Sequence, residues 1–183
     1  MSIVATLKEA RAAAQSLREL YPVKDGLSTD VRAIANRIGI TIVEGKIEVP
    51  NKKSVSGLIK LNGREGRPVI AVAQDQSEER KRFTIAHEIG HFILHRTRMV
   101  HVDTDEVTAF RDSISSTATD PNEMQANQFA AELLMPTNEV KNRINIGLAV
   151  GEEMIDIIRA LSVTYRVSTL AVTIRVTSLI DKE

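Results

Sequence analysis

Residues 87 to 91 read His87-Glu88-Ile89-Gly90-His91, and the spacing of the two histidines constrains this chain more than any other feature. On an α-helix, positions four apart turn about 400° at about 100° per residue, so both imidazoles project the same way and can share one cation. Glu88 sits one step round, beside the open side of such an ion. Its carboxylate there can take a proton from a water whose pKa a zinc ion lowers to about 7, which suits water-driven amide hydrolysis. With only four histidines in 183 residues, coincidence would supply roughly 0.007 such matches, so chance explains the pattern poorly. The motif needs a helix, and its surroundings provide one. Arg80 to Arg96 contains no proline, and Phe83, Ile85, Ala86, Ile89, Phe92 and Ile93 give an apolar face.

A catalytic zinc needs three protein ligands and one open position, so two histidines are incomplete. A third histidine in the pattern H-E-x-x-H-x-x-G-x-x-H is excluded, because positions 94 and 97 are Leu94 and Thr97. The remaining option is a carboxylate on a following helix. Asp120-Pro121-Asn122-Glu123 starts one cleanly, with Asp120 as cap and Pro121 in the first turn, and places Glu123 32 residues after His91. Asn127, one turn on, shares its face, and its amide could hold an imidazole by the free ring nitrogen. Glu123 has an equally good alternative on spacing alone, as the partner in a capping box with Asp120. Gln125 offers only a poor neutral ligand, and Glu132 reads as a solvated surface charge. His95 lies about 12 Å along the axis from His87, too far for the same ion. It is expected to be structural or substrate-facing, favoured as a cation by the helix C-terminus. His101 is a weaker candidate for stabilising the transition state, and neither tyrosine, Tyr21 or Tyr165, neighbours the motif.

Composition sets the outer limits. Hydrophobic residues make up 43%, enough for the core of one domain spanning residues 1–183. Lys plus Arg and Asp plus Glu number 24 each, so no global charge draws the chain to nucleic acid or an anionic membrane. The absence of cysteine excludes disulfides and thiolate-bound zinc. The first residues lack the pattern of an export signal and no run of 18 apolar residues occurs, so a cytoplasmic protein without a membrane span is expected.

The periodicity predicts helices over residues 3–21 and from Val31 to Ile38, the second capped by Ser28 or Thr29. Short β-branched runs follow at Ile40–Val43, Val55–Leu61 and Val69–Ala73, with Asn62-Gly63 beginning the last hairpin turn. The expected fold class is α+β: a small antiparallel three-stranded sheet packed against a metal-binding helix bundle, with C-terminal helices. Residues 97–119 lose periodicity and read as a long loop that could border a substrate cleft. Helices are expected from Asp120, after Thr137 and around Met154–Leu161. Residues 169–179 read as helix, with a strand as the alternative because Val172, Thr173, Ile174, Val176 and Thr177 are β-branched.

The strings Arg82 to His95 and Glu123 to Pro136 resemble the two signature blocks of the ImmA/IrrE family of metallopeptidases. Val55-Ser56-Gly57-Leu58-Ile59 resembles the family's strand before the metal helix, and a weaker likeness surrounds Val167-Ser168. The resemblance covers about residues 28–136, which implies a zincin-like catalytic core there and a helical subregion over 137–183. It implies a gluzincin-like site with His87, His91 and Glu123 as zinc ligands and Glu88 as catalytic base. Two imidazoles and a carboxylate suit zinc, with Mn2+ not excluded. The resemblance further implies a bacterial enzyme that cleaves a helix-turn-helix repressor and so releases the genes it controls. Many relatives carry a second carboxylate where this chain has Gln125, a change that bears on local electrostatics more than on metal binding.

The function expected is therefore that of a zinc endopeptidase whose extended substrate lies along a sheet edge such as Val55–Leu61. The alternative is a non-catalytic, metal-containing regulatory protein that binds a repressor or DNA. Residues 136–183 hold six basic groups (Lys141, Arg143, Arg159, Arg166, Arg175, Lys182) and six acidic ones (Glu139, Glu152, Glu153, Asp156, Asp181, Glu183). This balance argues against a phosphate-binding surface, and no direct contact with nucleic acid is expected.

Overall fold

The computed structural model describes residues 6–23, 28–47, 56–63, 66–99 and 120–180. Helix α1 (Leu7–Leu20) begins at a capping box in which Thr6 accepts from the Glu9 amide and the Glu9 carboxylate accepts from that of Thr6. Helix α2 (Val31–Arg37) is capped by Asp30, whose carboxylate accepts from the Ala33 amide, and not by Ser28 or Thr29. The Thr29 hydroxyl is used elsewhere: buried, it accepts from Arg18 and donates to the Leu133 carbonyl.

Strands β1 (Thr41–Gly45), β2 (Gly57–Lys60) and β3 (Val69–Ala73) form a sheet in the order β1-β3-β2. Strands β2 and β3 are the expected antiparallel hairpin, paired from Gly57↔Val72 to Lys60↔Val69. Its turn closes with the Gly63 amide on the Arg67 carbonyl, 2.9 Å. The sheet is mixed, however, because β1 runs parallel to β3, from Thr41↔Val69 to Gly45↔Ala73. The hairpin occupies one side of β3 with β2, so β1 takes the other side, and the segment between β1 and β2 crosses from one edge to the other. Parallel pairing needs such a crossover, which strand composition does not encode.

Helix α3 (Glu78–Met99) runs three residues into the stretch expected to be loop. The remainder of that stretch, with His101, lies outside the described residues. One flank of α3 packs on β2 and β3, and another on α4 (Pro121–Leu134), which α1 covers in turn. Ile59, Ile70 and Val72 of the sheet, Ile85 and Ile89 of α3, and Phe129, Leu133 and Leu134 of α4 are all fully buried. Each such side chain contributes about 1.5–3 kcal/mol relative to exposure.

Helices α5 (Thr137–Ala149), α6 (Met154–Tyr165) and α7 (Thr169–Ile180) complete the described chain. Residues 169–179 are helical despite their β-branched side chains. Ser168 Oγ accepts from the Ala171 amide, Thr173 Oγ1 donates back to the Thr169 carbonyl, and Val172, Val176 and Leu179 bury one face. Arg82 of α3 donates to the carbonyls of Tyr165 and Arg166, where α6 ends in a left-handed residue, and so ties this turn to the metal-motif helix. Among the described residues no single helix is long and apolar enough to cross a membrane.

Glu132 overturns its expected place on the surface, being fully buried. Its carboxylate accepts from the Arg175 guanidinium, from Gln15 Nε2 at 3.0 Å and from the Thr137 amide and hydroxyl at 3.1 and 2.6 Å. Arg175, also buried, donates further to the Met135 carbonyl at 2.9 Å. One ion pair thus joins α1, α4, α5 and α7. Burial alone would push the Glu132 carboxyl up, but the hydrogen bonds from Thr137 and Arg175 outweigh it and hold the group below its ordinary value of 4.5. A carboxyl lowered by folding stabilises the native state above its unfolded pKa, and that contribution disappears as pH falls through the lowered value.

Arg175→Leu, which strands a buried carboxylate, is expected to cost about 3–5 kcal/mol in urea denaturation at neutral pH. Replacing both partners by leucine should cost less than the single change. The stability difference between wild type and Glu132→Gln should shrink as pH falls below 4.5; a difference that grew there would mean that folding raises the Glu132 carboxyl instead of lowering it.

Candidate metal centre

Ser77 starts α3 by accepting from the Arg80 amide, and Glu78 and Glu79 complement the positive end of the helix dipole. The uninterrupted helix then brings His87 and His91 onto one face, with ring centroids 4.8 Å apart and Nε2 atoms 3.2 Å apart. Both are buried, at 7% and 2% exposure.

Glu123 arrives from α4. Asp120 caps that helix by accepting from the Asn122 amide at 2.8 Å, and Pro121 occupies the first turn. The Glu123 carboxylate lies at the imidazoles, with Oε2 3.6 Å from His87 Nε2 and Oε1 3.8 Å from His91 Nε2. Together His87, His91 and Glu123 form a buried group able to hold a metal ion. A tetrahedral ion with bonds of about 2.0–2.1 Å sets its donors about 3.3–3.4 Å apart, close to the observed 3.2, 3.6 and 3.8 Å. Three electron-pair donors converging in a buried space repel one another unless positive charge lies between them, so the donor set fits a cation.

Glu88 is 1% exposed. Thr84, one turn before it, touches β2 so closely that a Cβ on Gly57 would fall 2.2 Å from Thr84 Cγ2. The flank of α3 that carries residues 84 and 88 therefore faces the β2 edge of the sheet. Asn127 stands half-buried one turn beyond Glu123, and among the described residues it makes no hydrogen bond to either imidazole. Gln125 is buried at 3% exposure, where a carboxylate would carry a larger desolvation cost than this amide. Neither tyrosine is assigned to the site: Tyr165 donates to Glu139 and the Tyr21 ring lies under Arg37. Burial and the neighbouring Glu139 carboxylate push the Tyr165 phenol far up, so it stays neutral.

One contributor, Gly90, escapes sequence reasoning, and a second, His95, takes the structural one of its two expected roles. Gly90, inside the motif, faces α4: a Cβ there would meet Phe129 Cδ1 at 3.1 Å and the Cα and carbonyl oxygen of Ala126 at 3.3 Å. The lack of a side chain sets the distance between the two ligand-bearing helices. His95 is buried against the start of α4, with Nε2 3.2 Å from the Asn122 carbonyl oxygen, and is not in the last turn of its helix. The dipole reading of His95 fails because α3 continues to Met99.

Gly90→Ala should move α4 outward by a few tenths of an ångström, since two of the three crowded atoms are backbone. A titration with Zn2+ is expected to show affinity at least about tenfold weaker, in spite of the roughly 1 kcal/mol that alanine adds to helix propensity. Undiminished affinity would mean that the helix spacing has slack.

None of the curated proteins matches this chain. Among solved structures, a Mycobacterium tuberculosis transcriptional regulator is similar in fold, with a TM-score of 0.50 and 17% identity over 91% of this chain and 46% of that one. This chain thus spans less than half of that protein's length. The family model described as the IrrE N-terminal-like domain matches residues 35–177, a stretch that contains the sheet, α3 with its two histidines and α4 with Glu123. The chain belongs to this family, Peptidase M78.

Proposed function

We propose that this chain is a zinc-dependent endopeptidase acting on a protein partner inside the bacterial cytoplasm. The observation that carries the reading is the buried cluster of His87, His91 and Glu123 with Glu88 on the same helix as the histidines. His87, His91 and Glu123 would hold the ion, and two imidazoles with one carboxylate favour Zn2+ over Mn2+. When bound, zinc supplies Lewis-acid polarisation of the scissile carbonyl and acidifies water. Glu88 takes a proton from the attacking water as its oxygen bonds to the carbonyl carbon. It then returns that proton to the amine nitrogen as the C–N bond breaks.

Strand β2 lies at an edge of the sheet, on the Glu88 flank of α3, and an extended peptide could pair along it. The substrate proposed is a helix-turn-helix repressor, following the family resemblance, and DNA itself is not a ligand in this reading. Balanced charge in the C-terminal helices supports that exclusion.

Metal content per chain should be stoichiometric in wild type and lost in His87→Ala and Glu123→Ala. Glu88→Gln should keep its metal and cleave a candidate repressor about 10²–10⁴-fold more slowly. Cleavage at an unchanged rate would remove Glu88 from the mechanism. Metal binding without cleavage of any repressor would leave a non-catalytic regulatory protein.

A further inference from the structure

The ligand cluster exists only while the first turn of α4 keeps its height along α3, because the histidines stand on one helix and Glu123 on the other. Along the contact, Gly90 meets Ala126 and Phe129, His91 meets Glu123 and His95 meets Asn122, so the two helices run antiparallel. The Gly90 contact meets the α4 backbone at Ala126, about 6 Å along the axis from Asn122 at 1.5 Å per residue, and Phe129 lies farther still. His95 reaches the first turn itself. Its ring centroid lies 5.2 Å from that of His91, and its Nε2 lies 3.2 Å from the carbonyl oxygen of the residue preceding Glu123. A carbonyl can only accept, so this contact requires the proton on Nε2.

We infer that His95 is a positioning residue that touches both halves of the metal cluster. Its ring backs His91, and its Nε2–H donates to the Asn122 carbonyl to hold the first turn of α4 where Glu123 faces the imidazoles. His95 itself lies too far along the helix to be a ligand. Removing an outer hydrogen bond of this kind typically weakens metal binding about 10–100-fold. The inference rests on the metal reading of the site.

The test uses the full chain with Zn2+ as probe, its affinity measured by competition with a chromophoric chelator, beside thermal melts of the metal-free proteins. His95→Phe keeps a buried ring without the donor, whereas His95→Gln keeps an N–H near the Nε2 position. The expected result is affinity about 10–100-fold weaker for the Phe variant, a metal-free melting temperature little changed, and affinity near the wild-type value for the Gln variant. Nitrogen NMR of the wild type should find the His95 proton on Nε2, a readout that stands even if a variant fails to fold. Wild-type affinity in the Phe variant, equal weakness in both variants, or a neutral ring with its proton on Nδ1 would each overturn the inference. Wild type that binds no Zn2+ would instead overturn the metal reading beneath it.

Discussion

The close approach of α3 and α4 at Gly90 is the constraint on which the rest of the site depends. Two imidazoles four residues apart need only a helix, but the third donor has to come from another element. Ala126 and Phe129 rest directly on the glycine, and this brings Glu123 within 3.6 and 3.8 Å of the ring nitrogens. The sheet supports the opposite flank of α3, where Gly57 of β2 plays the corresponding part against Thr84.

The far side of α4 is held differently. Glu132 and Arg175 are buried together, and their hydrogen bonds reach Gln15 on α1, Thr137 at the start of α5 and the Met135 carbonyl. Apolar contacts are tolerant of sliding, whereas a buried ion pair with fixed hydrogen bonds has one acceptable arrangement. The ion pair therefore sets the axial position of α4 at its C-terminal end. Arg82 performs a related task for the C-terminal helices, giving the carbonyls at the end of α6 partners on α3.

Much of this was legible in the sequence, because the motif depends on local geometry. Helical periodicity places His87, Glu88 and His91 without knowledge of the fold, and Asp120-Pro121 announces the helix that carries Glu123. Spacing alone left Glu123 divided between cap and ligand. Asp120 is the cap in either reading, and the Glu123 carboxylate lies 3.6 Å from His87 Nε2, beside the imidazoles. Apart from the length of α3, which runs on to Met99, the failures are nonlocal. Whether β1 joins the sheet parallel or antiparallel depends on a crossover, and Glu132 is a surface charge or a buried one according to where Arg175, 43 residues later, comes to rest. Gly90 reads as a minor flaw in a helix until its neighbour is known. The cap of α2 moved from Ser28 or Thr29 to Asp30 because tertiary partners claimed the Thr29 hydroxyl.

Division of the donors between two helices has a thermodynamic consequence. An ion held by His87, His91 and Glu123 would act as a removable cross-link, and by mass action it would favour the folded chain in proportion to its free concentration. At a hundredfold excess over the dissociation constant that amounts to about 2.7 kcal/mol, a large share of the 5–15 kcal/mol typical of a domain. The same ion that equips the site for chemistry would then make the lifetime of the folded protein follow the metal supply of its surroundings.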